Sequence, residues 1–147
     1  MKVGHLLIMF LIGFCAVPIE TINANQNTAQ LNLEDFQNTT IKLKLLGGSF
    51  RDNPDKIIAK KRQFIYLVPQ LYVQNQSKKH EKVYIYILNQ NNRPIIMNCC
   101  YTGYSLFLAW KIPTSINKGN YTMKIIYKGN CEKKLLPSQK MIALHIY

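Results

Sequence analysis

Negative charge is scarce in this chain: seven Asp and Glu stand against nineteen Lys and Arg, a formal net charge of +12 over 147 residues. Histidine is nearly as scarce, with His5, His80 and His145 only, and so are cysteine, with four, and tryptophan, with Trp110 alone. These shortages exclude much chemistry. A carboxylate pair for glycoside hydrolysis must face itself across a cleft, and Glu34, Asp35, Asp52, Asp55, Glu81 and Glu132 show no such placement and read as partners for neighbouring surface lysines. The cysteines lack the paired C-x-x-C spacing that fixes a tetrahedral metal, so no metal and no cofactor is expected. Leu46-Gly47-Gly48-Ser49, the one glycine-rich element, lacks the lysine of a phosphate loop and reads as a turn. Long apolar runs are missing too. The run from Leu6 to Val17 is about twelve residues, where a bilayer span needs roughly twenty.

That short run has another reading. Lys2 supplies a positive start, Leu6 to Val17 an uncharged apolar segment, and Ile22-Asn23-Ala24 a small residue before a polar stretch, the arrangement of a cleavable export signal over residues 1–24. Acylation at Cys15 is the competing reading, disfavoured by the bulky Phe14 before it. Cleavage predicts a secreted or periplasmic protein without a transmembrane segment, a flexible polar leader over 25–38 and one folded domain over 39–147. Lys2 and Glu20 leave together, so the net charge stays +12.

Cleavage also removes Cys15 and leaves Cys99, Cys100 and Cys131, an odd number for an oxidising compartment. Neighbouring residues of a strand point to opposite faces, so one of the vicinal pair is expected to join Cys131. Cys100 is preferred over Cys99, and closing that loop is worth roughly 3–4 kcal/mol on chain-entropy grounds. The remaining thiol is either buried and inert or available for a disulfide-linked dimer.

Alternation with period two recurs along the rest of the chain. Ile41-Lys42-Leu43-Lys44-Leu45 puts its apolar residues on one face. Gln63 to Val68 continues past Pro69 to Leu71-Tyr72-Val73, and the proline predicts an edge strand or a crossing between sheets. Lys82 to Leu88 is apolar on both faces and predicts a central strand, joined to Ile95-Ile96-Met97 by the turn-rich Asn89 to Pro94. Further strands are expected over Tyr104 to Lys111, Tyr121 to Tyr127 and Gln139 to Tyr147, with a turn at Lys128-Gly129-Asn130. Asp52 to Arg62 reads as a short helix or a basic loop. About seven or eight strands with no long helix predict an all-β antiparallel immunoglobulin-like sandwich.

Leu106 to Pro113, a polar loop, and then Lys118-Gly119-Asn120-Tyr121-Thr122-Met123-Lys124-Ile125 resemble a strand pair of macroglobulin-type immunoglobulin-like domains in the complement and α2-macroglobulin family, where a strand ending in Ile-Pro precedes a Gly-x-Tyr strand. Lys82 to Pro94 resembles an earlier strand of the same domain type. Secreted lipid-binding ML domains share a Gly-x-Tyr strand, but their early cysteine is absent. Nothing resembles a thioester or bait region, so the likeness implies fold alone.

Three basic groups lie near predicted strand ends: Lys60-Lys61-Arg62, Lys78-Lys79 with Lys82, and Lys133-Lys134. They predict a binding module for a protein or an anionic surface, glycan or lipid head groups, and the exported location argues against nucleic acid. Two alternatives remain open. One is a small secreted enzyme or toxin, such as a nuclease working through His80 and His145; the other is a structural subunit of an exported assembly. Asn38-Thr39-Thr40, Asn75-Gln76-Ser77 and Asn120-Tyr121-Thr122 match the glycosylation acceptor pattern.

Overall fold

The computed structural model describes residues 33–46, 51–103 and 108–147. The export signal over 1–24 with Cys15, the leader up to residue 32, the Gly47-Gly48-Ser49 turn and the Tyr104 to Phe107 part of the expected strand lie outside the described residues. After a short 3-10 turn, Leu33–Asp35, the described chain forms ten strands: β1 Thr40–Leu46, β2 Arg51–Asp52, β3 Lys56–Ala59, β4 Phe64–Val73, β5 Gln76–Lys78, β6 Lys82–Leu88, β7 Pro94–Tyr101, β8 Leu108–Lys111, β9 Gly119–Tyr127 and β10 Ser138–Ile146.

They make two sheets. In the first the order is β2-β1-β4-β5, with β8 also on β4; in the second it is β3-β10-β9-β6-β7. All pairings are antiparallel except that of β3 with β10, which is parallel. Asp52 to Arg62 is therefore neither helix nor simple loop, since Ile57 and Ala59 are buried as a strand beside Leu144 and Ile146. Alternation delivers one core from both sheets. Leu43, Leu67 and Leu71 from the first meet Val83, Ile85, Met123, Ile125, Ile142 and Leu144 from the second in a single hydrophobic cluster. Each such side chain contributes roughly 1.5–3 kcal/mol by leaving water.

β6 is central, flanked by β7 and β9, as its two apolar faces require. Pro69 departs from expectation, because it is buried in the middle of β4, itself a central strand. The ladder explains why it is tolerated. The Leu43 carbonyl is turned toward Asn53, at the β2 side, which leaves the even residues of β1 to bond the even residues of β4. The odd residues of β4 face the other way. Along that side β8 covers Phe64 to Leu67 and β5 covers Leu71 to Val73, so the missing N–H of Pro69 points into the gap between two partners.

The strand ends are also tied between sheets. At one end Lys61 N–H donates to the Tyr147 carbonyl at 3.3 Å and Arg62 N–H to the Ile112 carbonyl at 3.1 Å. At the opposite end Gln37 N–H donates to the Lys134 carbonyl at 2.8 Å, and the Thr39 hydroxyl donates to the Leu136 carbonyl at 2.8 Å. The first is the Lys61 end of the molecule and the second, where β6 begins, the Lys82 end.

The β9–β10 connection depends on Gly129, whose φ is +85° and where a Cβ would stand 2.8 Å from the Leu135 carbonyl oxygen. Gly129→Ala is expected to lower stability by about 2 kcal/mol through strain and backbone displacement, measured as a shifted urea midpoint with unchanged slope.

Candidate functional site

The Lys82 end is organised around two buried polar residues, Thr102 and Glu81. Thr102 donates its hydroxyl to the Lys78 carbonyl at 2.7 Å and accepts the Glu81 N–H at 3.1 Å. Its own N–H reaches the Glu81 carbonyl at 2.9 Å, and its carbonyl takes the His80 N–H at 2.7 Å. One threonine just past β7 thus pins the whole turn between β5 and β6, including His80 with its left-handed φ of 61°.

Glu81 is 5% exposed. A carboxylate so placed costs free energy unless it is paired and hydrogen-bonded. Both conditions are met: the Tyr127 hydroxyl donates to Oε2 at 3.1 Å, and Lys133 Nζ forms an ion pair with Oε1. Burial, and then the charge and hydrogen bond of Glu81, push the Tyr127 hydroxyl pKa above its ordinary value. Glu81 is therefore not the surface carboxylate expected from its basic neighbours, although it does offset a lysine. Sequence reasoning missed this trio. The available signal was that Glu81 and Tyr127 continue the inward phase of β6 and β9, set by Val83 and Ile125.

Of the three basic groups, two meet. Lys78, Lys79 and Lys82 lie on the turn that Thr102 holds, and Lys133 and Lys134 lie on the β9–β10 connection, joined to that turn through Glu81 and to Asp35 by Lys134 at 3.1 Å. Lys128, which sequence reasoning treated only as a turn residue, belongs with them. Its Nζ stands 4.4 Å from the centre of the Tyr84 ring, and Lys82 Nζ stands 5.4 Å from the same ring. Lys60, Lys61 and Arg62 are at the opposite end, where Lys61 Nζ donates to the Thr114 carbonyl at 3.3 Å.

The two histidines are not brought together. His145 faces Asn120, its Nδ1 2.7 Å from Oδ1, near the Lys61 end. His80 precedes Glu81, which touches Tyr127 at the far end of β9. Seven strand residues separate these levels, about 24 Å, too far to hold acid and base on one phosphate. Among the described residues no group of three His, Cys, Asp or Glu can hold a metal ion. A cavity of about 590 Å³ lies on the outer face of the first sheet, lined in part by Glu34, Asp35, Lys42 and Tyr72. Asn38, Asn75 and Asn120, of the three acceptor patterns, are all exposed.

Cys99 and Cys100 both carry free thiols, so the expected Cys100–Cys131 bridge is not formed. The sheet order gives the reason. Cys100 opposes Val83, which opposes Tyr127 on its other side, so β6 separates β7 from the strand that leads to Cys131. Two strand spacings are about 10 Å, beyond the roughly 7 Å Cα separation a disulfide spans. Cys100 packs against the core, and burial, with the neighbouring Cys99 adding, pushes its pKa up to about 11; Cys99 is exposed. No protein-family model matches the sequence, and no curated protein is similar to it.

Two outcomes follow from this geometry. Lys133→Ala leaves the buried Glu81 with Tyr127 alone and is expected to cost about 2 kcal/mol in urea unfolding, whereas in the Glu81→Gln background the same change costs a few tenths of a kcal/mol. In native protein at pH 8, iodoacetamide is expected to alkylate Cys99 well before Cys100, whose thiolate fraction is about a thousandth; peptide mapping reads the order.

Proposed function

We propose that the protein is an exported, non-catalytic binding module that docks on a polyanionic surface, sulfated glycan or anionic lipid head groups, through its Lys82 end. The observation that carries this reading is the convergence of Lys78, Lys79, Lys82, Lys128, Lys133 and Lys134 on one end of the molecule. The nearby acids offset part of it: Glu81 pairs with Lys133 and Asp35 with Lys134, while Tyr84 holds Lys82 and Lys128 over its face without neutralising them. An array of lysines, five exposed and Lys78 half-buried, suits a repeating anion, since an ammonium binds as a point charge and needs no planar match.

We read the fold that carries this surface as an immunoglobulin-like sandwich. Three features support it. The order β10-β9-β6-β7 follows that of strands G, F, C and C′, and β1-β4-β8 follows A, B and E. Tyr121, at the start of β9, donates its hydroxyl to the Asn117 carbonyl four residues upstream at 2.9 Å, the geometry of a tyrosine corner. The resemblance of the Ile112-Pro113 and Gly119-Asn120-Tyr121 region to macroglobulin-type domains falls on that same corner.

The test is retention on immobilised heparin, alongside sedimentation with vesicles containing phosphatidylserine. The protein is expected to stay bound at physiological salt and to elute as salt rises. A lysine near an anionic surface is worth about 1 kcal/mol, so changing Lys78, Lys79, Lys82 and Lys128 together to Gln is expected to weaken binding roughly a hundredfold or more. Changing Lys60, Lys61 and Arg62 to Gln, at the other end, serves as the control of equal chemistry. Retention lost equally in both variants, or absent from the unmodified protein on both matrices, overturns the reading.

A further inference from the structure

β7 is the outermost strand of the second sheet, and the ladder fixes what it shows to solvent. Ala143 N–H donates to the Asp55 carbonyl and Tyr147 N–H to the Ala59 carbonyl, so the odd residues of β10 face β3 and its even residues face β9. Carried through the registers, the even residues of β9 bond the even residues of β6, and the odd residues of β6 bond the even residues of β7. The bond from Thr102 N–H to the Glu81 carbonyl continues that phase at 2.9 Å. The backbone groups of Met97, Cys99 and Tyr101 therefore point away from the sheet, along an edge that no strand among the described residues pairs with. Their side chains stand on its outer face: Met97 is 64% exposed, Tyr101 49%, and Cys99 is also exposed.

Beyond a register shift at its start, where Ile87 opposes Ile96 but Leu88 opposes Pro94, this edge lacks the short length and the charges that blunt the others. The outer strands β2, β5, β3 and β8 have two to four residues and carry Arg51 and Asp52, Lys78, Lys56 or Lys111. β7 runs eight residues from Pro94 to Tyr101 without a charge, and its proline stands at the first position, where it interrupts no pairing.

We propose that β7 is the interface of a two-fold symmetric dimer, in which two copies pair their β7 strands antiparallel with Cys99 on the axis and join the two five-stranded sheets into one. The free groups are self-complementary in this register. Cys99 opposes Cys99 of the second copy, and Met97 opposes Tyr101 on either side of the axis, a sulfur–aromatic cross-strand pair made twice. A second copy fits better than an arbitrary strand, because one operation satisfies the backbone, both exposed side chains and the thiol. The area sets the strength. The paired stretch, Met97 to Tyr101, is about 17 Å long and one strand spacing deep, and it buries at most a few hundred Å² per copy, below the roughly 1,200 Å² total of a standard interface, so the uncrosslinked dimer is weak.

Directly opposed residues of a hydrogen-bonded pair have Cα atoms about 5.5 Å apart, inside the range a disulfide spans. The crosslink forms by exchange. One Cys99 thiolate attacks oxidised glutathione and releases a glutathione thiolate; the second Cys99 thiolate then attacks the mixed disulfide and releases another. Two protein thiols are oxidised, their two protons end on the two released glutathione thiolates, and one glutathione disulfide is thereby reduced to two thiols.

The experiment is sedimentation equilibrium of the full chain with reductant at low and high salt, followed by non-reducing electrophoresis after incubation with a glutathione redox buffer. Weak reversible dimerisation is expected, strengthening as salt screens the +12 charge of each copy, the opposite trend to heparin retention. Oxidation is expected to yield a covalent dimer in the unmodified protein and in Cys100→Ser, and none in Cys99→Ser, whose heparin retention stays unchanged. Met97→Lys, which places a charge on the edge, is expected to weaken association about tenfold or more. A chain that stays monomeric at all concentrations, a dimer that Met97→Lys leaves intact, or a dimer that oxidation bridges through Cys100 or fails to bridge at all, overturns the proposal. None of these outcomes touches the heparin result, so the two readings fail separately.

Discussion

Side chains and backbone hydrogen-bonding groups of a strand share one period of two, and in this protein a single phase runs from β3 across β10, β9 and β6 to the Ile96 to Tyr101 stretch of β7, breaking only where the register shifts at Leu88 and Pro94. Once Ile142, Ile125, Ile85 and Cys100 face inward, every other assignment in that sheet is fixed. Met141, Lys124, Tyr86 and Met97 are outward, and Met97, Cys99 and Tyr101 are left with their backbone groups at the edge. The vicinal cysteines are split by this phase into one thiol pressed on the core and one in solvent. The same constraint in the first sheet places Pro69 where its missing N–H has no partner to lose. A shift of one residue anywhere would turn the isoleucines out to water, which is why the phase is held so strongly.

The part of the fold legible in the sequence is the part this period governs. Ile41 to Leu45 and Val83 to Leu88 carry enough alternating residues to declare both strand and face. β3 does not, because Ile57-Ile58-Ala59 is too short for a period to emerge, and its pairing with β10 joins residues more than eighty positions apart. That one pairing had a large consequence for the site. Because β3 runs parallel to β10, it delivers Lys60, Lys61 and Arg62 to the end where β10 finishes, far from Lys133 and Lys134 where β10 begins. Sequence alone puts three basic groups near strand ends; only the direction of β3 says which end. Pro69 was opaque for a related reason, since a gap between β8 and β5 is a property of the sheet and leaves no mark on β4 itself.

Glu81 shows a different limit. Flanked by His80 and Lys82, it reads as a solvated charge, yet it lies on the inward phase of β6 beneath a turn. Its burial is made tolerable by groups forty-six and fifty-two residues away, Tyr127 and Lys133, and by the Thr102 hydroxyl on its own N–H. Whether a charged residue at a strand end is buried depends on whether such partners arrive, and that is decided by the β9–β10 connection rather than by local composition. The geometry of that connection rests in turn on Gly129, so a backbone position without a side chain helps to determine where a lysine ends.

The scarcity of acid gains its meaning here. With so few carboxylates, their placement rather than their number shapes the field around the molecule. Glu81 is withdrawn into the interior, where it anchors Lys133 and so fixes one ammonium in place, and Asp35 ties Lys134 to the segment preceding β1. Lys82 and Lys128 are positioned by a ring instead of a carboxylate, which orders them while leaving both charges available. Ordering these two lysines by paired acids, as Lys133 and Lys134 are, would have cancelled the charge it organised. An aromatic platform and a buried carboxylate give a surface that is at once structured and positive, and the uncharged β7 edge beside it is the one long stretch of that sheet where a second positive molecule meets no lysine directly.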